Sequence, residues 1–501
     1  MDVLHELIAG MSMAERSYFK RYAAKLGEGS STNYIRLFDA IAAQEQYNEA
    51  AIKKLFASEK FVKQFSVAKA YLYKTVIRAL RNFREESSIQ SRLKHLQLEL
   101  DILMDKGIYT QAMQVIDNGI KLARQYEMLT DLNEFVAARL YMLMHNYQPL
   151  KGKETIDDVI AYHLQLGRQI DNLVQFENLY QQQHRLNKTV YQLRDGKQLH
   201  DYDTIFNNPL LQNKSAALTG RALYLFHFIR CLHFSVTDRR ADFLAEAKKL
   251  VAVCYATPYF KQYDYRGTMN ALNLLLEASY FNHDWSAMNK ALKQLQAVPV
   301  QTDRDKIAAF IYYSRFALIY FDQKKDSKAM LKLMEEAWGM LKRYEQKIPY
   351  HVRVNTMVTY SSVYLEMGEY AKALDWIELY RQGKKEEAVR FDSQSILLMM
   401  QLIAHYEMGN LLLVKNIVPN ISRFIKKVGQ QSKFEKVLLA FFNKLTSAKA
   451  PAEGLFEKTL NELNGLQEGD ILNRNRTMHD IFRVFIQSKM HKKKYHEAIG
   501  H

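Results

Sequence analysis

Tyr364-Leu365-Glu366-Met367-Gly368-Glu369-Tyr370 places an aromatic at the end of one apolar-periodic segment, then a glycine turn, then a second aromatic where a new segment begins. Three other stretches follow the same plan: Tyr280-Phe281-Asn282-His283-Asp284-Trp285, Tyr320-Phe321-Asp322-Gln323, and His405-Tyr406-Glu407-Met408-Gly409-Asn410-Leu411. Counted from the position two past each turn, Trp285, Asp326, Tyr370 and Leu411 stand 41, 44 and 41 residues apart. Two further steps of about 42 reach Glu453, just past Pro451, and then Tyr495. An interval of that size, filled by two helices and two turns, marks a chain that stacks helical hairpins. One hairpin cannot cover its own apolar face, so each neighbour supplies core for the next. The expectation is an all-α fold, an α-solenoid of stacked helical hairpins with a period of about 42 residues.

Composition points the same way. Only 19 Gly and 7 Pro in 501 residues leave too few turn-formers for an all-β chain, whose tight turns come every 8–12 residues or so. A hydrophobic fraction of 48% excludes wholesale disorder. The length exceeds what a single hydrophobic core fills, so the choice lies between several globular domains and an extended array. Two cysteines, Cys231 and Cys254, are too few for a disulfide framework. The N-terminus lacks a basic, apolar signal pattern, and no apolar run approaches about 18 residues. These features predict a soluble cytoplasmic protein that does not enter a membrane.

The turn-and-second-helix pattern resembles the tetratricopeptide repeat family, whose signature is a glycine, an aromatic two later and an alanine three after that. Gly107, Tyr109 and Ala112 match it, as do Gly368, Tyr370 and Ala373. Tyr47 and Ala50 match with Glu45 in the glycine place, and Tyr495 and Ala498 with Lys493 there. The resemblance implies paired helices that approach closely at the small residues, with the aromatic packed between them. His283, Leu411 and Val414 depart from the pattern, and the spacing exceeds the family's usual repeat of about 34. The reading is therefore TPR-like with longer helices. The first hundred residues also resemble uncharacterised bacterial helical-repeat proteins, a likeness that implies no function.

The expected organisation is a basic helical region over residues 1–90 and a repeat region over 91–501, subdivided near the loop-like stretches 145–158 and 193–215. Residues 446–454 and 464–477 read as shorter polar connections. Ser12 with Glu15 forms a capping box by spacing, and Thr302 with Asp305 a shorter-armed version.

No GxGxxG, GxxxxGK[ST] or GxSxG signature occurs, so the common dinucleotide, triphosphate and serine-hydrolase motifs are missing. His496-Glu497-Ala498-Ile499-Gly500-His501 puts its histidines at i and i+5, off the single helix face that zinc needs. His227 and Cys231 share a helix face, with His233 and Cys254 in the same region, but the surrounding Leu225, Phe226, Phe228, Ile229 and Leu232 read as a buried helix. The pairs Asp201/Asp203 and Asp303/Asp305 read as turn residues beside helix starts, where capping explains them. The expectation is a non-enzymatic protein with no catalytic residue, cofactor, metal or small-molecule substrate.

Charge is the remaining signal. The net charge is +16, and residues 53–84 carry nine Lys/Arg against one acid, Glu59. Residues 415–444 carry seven against Glu435, and residues 474–494 seven against Asp480. After Ser66, Leu72, Val76, Leu80 and Phe83 form one helix face, and Lys74, Arg78 and Arg81 the opposite one, with Glu85 blunting its end. The chain also holds 31 Tyr, and Tyr312, Tyr313 and Tyr360 lie on first helices of repeats, where they could line a peptide groove. Two partner expectations follow. The leading one is a scaffold that binds protein or peptide partners through such tyrosines. The alternative is nucleic acid or a ribonucleoprotein held by the basic N- and C-terminal segments.

Overall fold

The computed structural model describes residues 2–25, 30–44, 46–145, 147, 155–189, 196–300, 302–344, 347–382, 391–428, 432–447, 454–468 and 476–498. Among them the regular elements are 24 α-helices and a few short 3-10 turns, with no strand. The chain divides into two compact units, Met1–Ile170 and Asp171–His501.

In the first unit, α1 (Val3–Ala9), α2 (Met13–Ala24), α3 (Ser30–Ala42), α4 (Glu49–Leu55) and α5 (Phe65–Ser87) enclose a core of their own. α2 starts at the expected capping box: the Glu15 N–H donates to Ser12 Oγ at 3.2 Å and the Ser12 N–H to Glu15 Oε2 at 2.8 Å. α5 turns its expected apolar face inward, with Leu72 and Val76 fully buried. α6 (Ile89–Asp105), α7 (Tyr109–Gln125) and α8 (Leu129–Met144) then pack in sequence order, beginning with α6 on α5. That packing is why the boundary between units falls at 170 and not near residue 90, although residues 4–79 keep a separate core.

Small residues set how closely helices of the first unit approach. Gly107 takes φ +69° at the α6–α7 turn, and Ala112 is fully buried. Inside α7, a Cβ on Gly119 would stand 2.6 Å from the Phe135 ring. Glycine in a helix costs about 1 kcal/mol against alanine. Here its missing side chain leaves the space that the fully buried Phe135 of α8 occupies.

α9 (Ile156–Thr189) runs through the boundary, and α10 (Gly196–Phe206) follows. In the second unit come successive pairs: α11 (Gly220–Val236) with α12 (Arg240–Ala256), then, after the short α13 (Pro258–Gln262), α14 (Tyr265–Phe281) with α15 (Trp285–Ala297). The series continues with α16 (Asp303–Gln323) and α17 (Ser327–Tyr344), α18 (Tyr350–Glu366) and α19 (Tyr370–Gln382), and α20 (Phe391–Glu407) and α21 (Leu411–Val428). α22 (Lys433–Ser447), α23 (Leu455–Glu468) and α24 (Arg476–Met490) close it. First helices also touch the next first helix, α14 on α16, α16 on α18 and α18 on α20, so one continuous core runs through the unit.

The turns inside these pairs share one construction. Asp238, His283, Lys325, Gly368 and Gly409 all have positive φ, at intervals of 41 to 45 residues. At Gly368 the turn N–H donates to Leu365 O at 3.1 Å, and the Glu369 N–H to Tyr364 O at 2.9 Å. The other four turns repeat the same two bonds, which satisfy carbonyls left open at a helix end. The new helix is then capped where a side chain allows: Asp326 Oδ1 accepts from the Ala329 N–H at 3.0 Å.

Two expectations need correction. The stretch 193–215, read as a loop, contains α10 and two 3-10 turns, because Tyr202 and Ile205 give it a buried face and Asn208 and Asn213 cap the turns. Asp201 and Asp203 therefore lie inside a helix, not beside its start; Asp203 Oδ1 sits 2.9 Å from His233 Nε2. Asp303 and Asp305 do lie in the first turn of α16, where Thr302 Oγ1 accepts from the Asp305 N–H at 3.1 Å. Glu45, Asp195, Pro451, Glu453, Ile499, Gly500, His501 and the Glu85 side chain lie outside the described residues.

After α24 comes a 3-10 turn, Tyr495–Glu497, where the pattern of the unit would start a second helix. It packs against α18. Tyr495 is buried and donates its N–H to Glu407 Oε1 at 3.2 Å, and Lys489 pairs with the same carboxylate at 2.5 Å. The Tyr370 hydroxyl and His496 Nδ1 are 2.9 Å apart. No helix among the described residues is long and apolar enough to cross a membrane.

Candidate functional site: a groove on the first helices of the second unit

The first helices of the pairs are mostly buried, yet α14 carries Asn270, Asn273 and Glu277 at i, i+3 and i+7, a polar stripe on an otherwise apolar cylinder. That stripe opens onto a cavity of about 280 Å³. Tyr180 and His184 of α9 form one wall, Phe228 and Leu232 of α11 another, and Tyr312 and Arg315 of α16 with His351 and Asn355 of α18 the far side. A second hollow of about 430 Å³ adjoins it, sharing Tyr180 and Asn270 and reaching Glu177, Arg221, Asp264 and Arg266. Together they form a groove across α9, α11, α14, α16 and α18.

The walls are fixed by bonds between neighbouring first helices. The Tyr312 hydroxyl donates to Asn270 Oδ1 at 3.1 Å, and Ser393 of α20 donates to Asn355 Oδ1 at 2.8 Å. The Tyr180 ring meets Phe228 edge-on at 5.4 Å. Burial pushes the Tyr180 and Tyr312 hydroxyls above their ordinary pKa, so both remain neutral donors. In the second hollow, Tyr224 donates to Gly267 O at 3.0 Å and its ring stacks on Phe260 at 4.3 Å.

Two polar groups of the groove are left over. Asn273 Oδ1 is buried and accepts no hydrogen bond. Arg315 is half-buried and makes no ion pair among the described residues. A buried polar atom without a partner is costly, which is why nearly all find one. The groove thus offers an aromatic floor, a free acceptor and a free cation. It has no nucleophile–base pair among the groups named here, and no cluster of metal-binding side chains occurs among the described residues.

The tyrosines expected to line a groove separate. Tyr312 does line it. Tyr313 is half-buried and faces Gln296 of α15, away from the cavity. Tyr360 does not line it: the residue is fully buried and stacks on Trp376 at 4.6 Å, which places its ring in the core. Gly368, Tyr370 and Ala373 keep their structural role at the α18–α19 turn, with Ala373 fully buried. Asn270, Asn273, Arg315 and Asn355 were not singled out in the sequence. Polar residues at helical spacing on a helix that is otherwise apolar were the available signal.

The Cys/His group is buried. His227 Nδ1 lies 2.9 Å from Glu246 Oε1, which also accepts from Arg230 Nε at 2.8 Å, and both cysteines are free and buried. Lys74, Arg78 and Arg81 lie together on the exposed face of α5, in the first unit.

No protein-family model matches the sequence, and none of the curated proteins matches it either.

Proposed function

We propose that the second unit is a non-enzymatic scaffold of TPR-like, solenoid character that holds an extended segment of a partner protein in this groove. The carrying observation is the buried Asn273 Oδ1, which accepts no hydrogen bond, in a cavity walled by five helices and also lined by Arg315, which has no ion pair among the described residues. An extended peptide presents backbone N–H groups for an acceptor such as Asn273 and carbonyls or carboxylates for Arg315, while its side chains meet Tyr180, Phe228 and Leu232. A few such anchors carry most of the binding energy in interfaces of this kind. Two buried, free cysteines and the lack of a membrane-crossing helix among the described residues fit a cytoplasmic setting.

The test is selection from a random peptide library against the full chain, followed by titration of enriched peptides into Asn273→Leu and Arg315→Ala variants. Each variant should weaken binding about tenfold or more with unchanged thermal stability. Failure to enrich any peptide, or binding by both variants as tight as that of the wild type, would remove the groove from consideration.

A further inference from the structure

We propose that the outward face of α5 binds the backbone of single-stranded nucleic acid, separately from the peptide groove. Tyr71, Lys74, Arg78 and Arg81 follow at steps of three, four and three residues, so they share one helix face, and all four are exposed. The three cations span about 10 Å of helix axis, within reach of successive phosphates.

What separates this face from an ordinary solvated one is where the acids go. The single acid of residues 53–84, Glu59, is taken by Arg36 of α3 at 2.8 Å and by the Asn33 amide at 3.1 Å. Lys53 and Lys69 are matched by Glu49 and Asp2. Lys54, Lys60, Lys63, Lys74, Arg78 and Arg81 have no ion pair among the described residues. A face that only solvates a helix mixes signs, because i,i+4 pairs of opposite charge stabilise it. Lys74, Arg78 and Arg81 share one helix face and repel one another, with Glu85 at i+4 offsetting Arg81 alone, and a polyanion relieves that repulsion while releasing its own counterions.

Tyr71 decides the kind of polyanion. The residue is 48% exposed and its ring is braced by Tyr34 at 4.6 Å, a platform on which an unpaired base can stack beside the phosphate-binding cations. A lipid surface fits less well. The apolar side of α5, with Leu72, Val76 and Ala79, is spent on the core, which leaves no continuous apolar face to insert.

The experiment is fluorescence anisotropy of a labelled oligothymidine of about 20 nucleotides, its duplex, and anionic vesicles, with the full chain at about 50 and 200 mM salt. The wild type should bind the single strand most tightly, with affinity falling steeply as salt rises. Lys74→Ala/Arg78→Ala/Arg81→Ala should weaken it at least tenfold and reduce the log–log salt slope by about 2, three contacts at about 0.7 each. Tyr71→Ala should weaken single-strand binding severalfold with the slope unchanged. Lys328→Ala/Lys332→Ala, exposed cations of the second unit, should bind as wild type. Circular dichroism of each variant establishes folding. The proposal is overturned by no binding at low salt, by undiminished binding in the triple variant, or by vesicle binding that exceeds the single strand and ignores Tyr71. None of these outcomes bears on the groove.

Discussion

A Cβ placed on Gly368 would stand 2.7 Å from His496 Nδ1, so the turn between α18 and α19 leaves room for the His496 ring where it now sits because residue 368 has no side chain. Gly409 takes the same φ of +76° with nothing within 4 Å of its missing Cβ. The two glycines therefore separate backbone strain from packing. Gly409→Ala should cost about 1–2 kcal/mol, the left-handed penalty alone. Gly368→Ala should cost more, and adding His496→Ala should bring it back toward the Gly409→Ala value. Urea denaturation of the four proteins checks this; equal losses for the two glycine variants would show that the His496 contact carries no weight.

The opposite change should stabilise. Lys325 holds φ +56° with an exposed side chain, and relieving that strain favours glycine, offset in part by the entropy glycine loses on folding. Lys325→Gly should gain up to about 1 kcal/mol. A lower urea midpoint in this variant would contradict the assignment of strain to that turn.

Glu366 makes stability depend on pH. Burial, with the Asp322 charge adding to it, raises its carboxyl to about 7, despite the Ser362 hydroxyl that donates to it at 3.0 Å. An unfolded chain ionises this group near 4.5, so between about 4.5 and 7 the unfolded state binds fewer protons and folding weakens as pH rises. Glu366→Gln should match wild type near pH 5 and exceed it near pH 7.5, read from denaturation midpoints at both. Parallel pH profiles for the two proteins would remove Glu366 as the source.

Glu246 has the reverse sign. Burial opposes its ionisation, but His227 and Arg230 outweigh it and hold the carboxyl at about 2. Its contribution is complete above about 4.5 and fades as pH falls toward 2. Removing one partner of a buried ion pair costs about 3–5 kcal/mol. Glu246→Ala should lose an amount of that order at pH 7, measured by denaturation, with much of the difference gone when both proteins are compared under acid conditions. A loss below about 1 kcal/mol at pH 7 would mean that water, not Glu246, satisfies Arg230.

The helical class, the Ser12 capping box, the inward face of α5 and the exposed Lys74, Arg78 and Arg81 were legible because each depends on spacing within one helix. The turns were half legible. Gly368 and Gly409 announce themselves, while Asp238, His283 and Lys325 adopt the same left-handed backbone without glycine, so the sequence conceals three of five. α10 was missed because polar residues flank its short buried face. The groove was missed because it is built across helices: Asn270 meets Tyr312 over 42 residues, and Asn355 meets Ser393 over 38. Tyr360 was misplaced because tyrosine suits both a groove and a core, and only its stack on Trp376 decides between them.

That stack also decides what an optical experiment on this protein sees. The chain has three tryptophans, Trp285, Trp338 and Trp376, all in the second unit. Trp338 and Trp376 lie edge to face at 4.9 Å, with Tyr360 against the latter. Intrinsic indole emission therefore reports on α15, α17 and α19, and near-ultraviolet ellipticity is weighted toward this one aromatic cluster. The first unit, with its cationic helix, holds no indole, so its state must be followed through tyrosine or through an indole placed there by substitution.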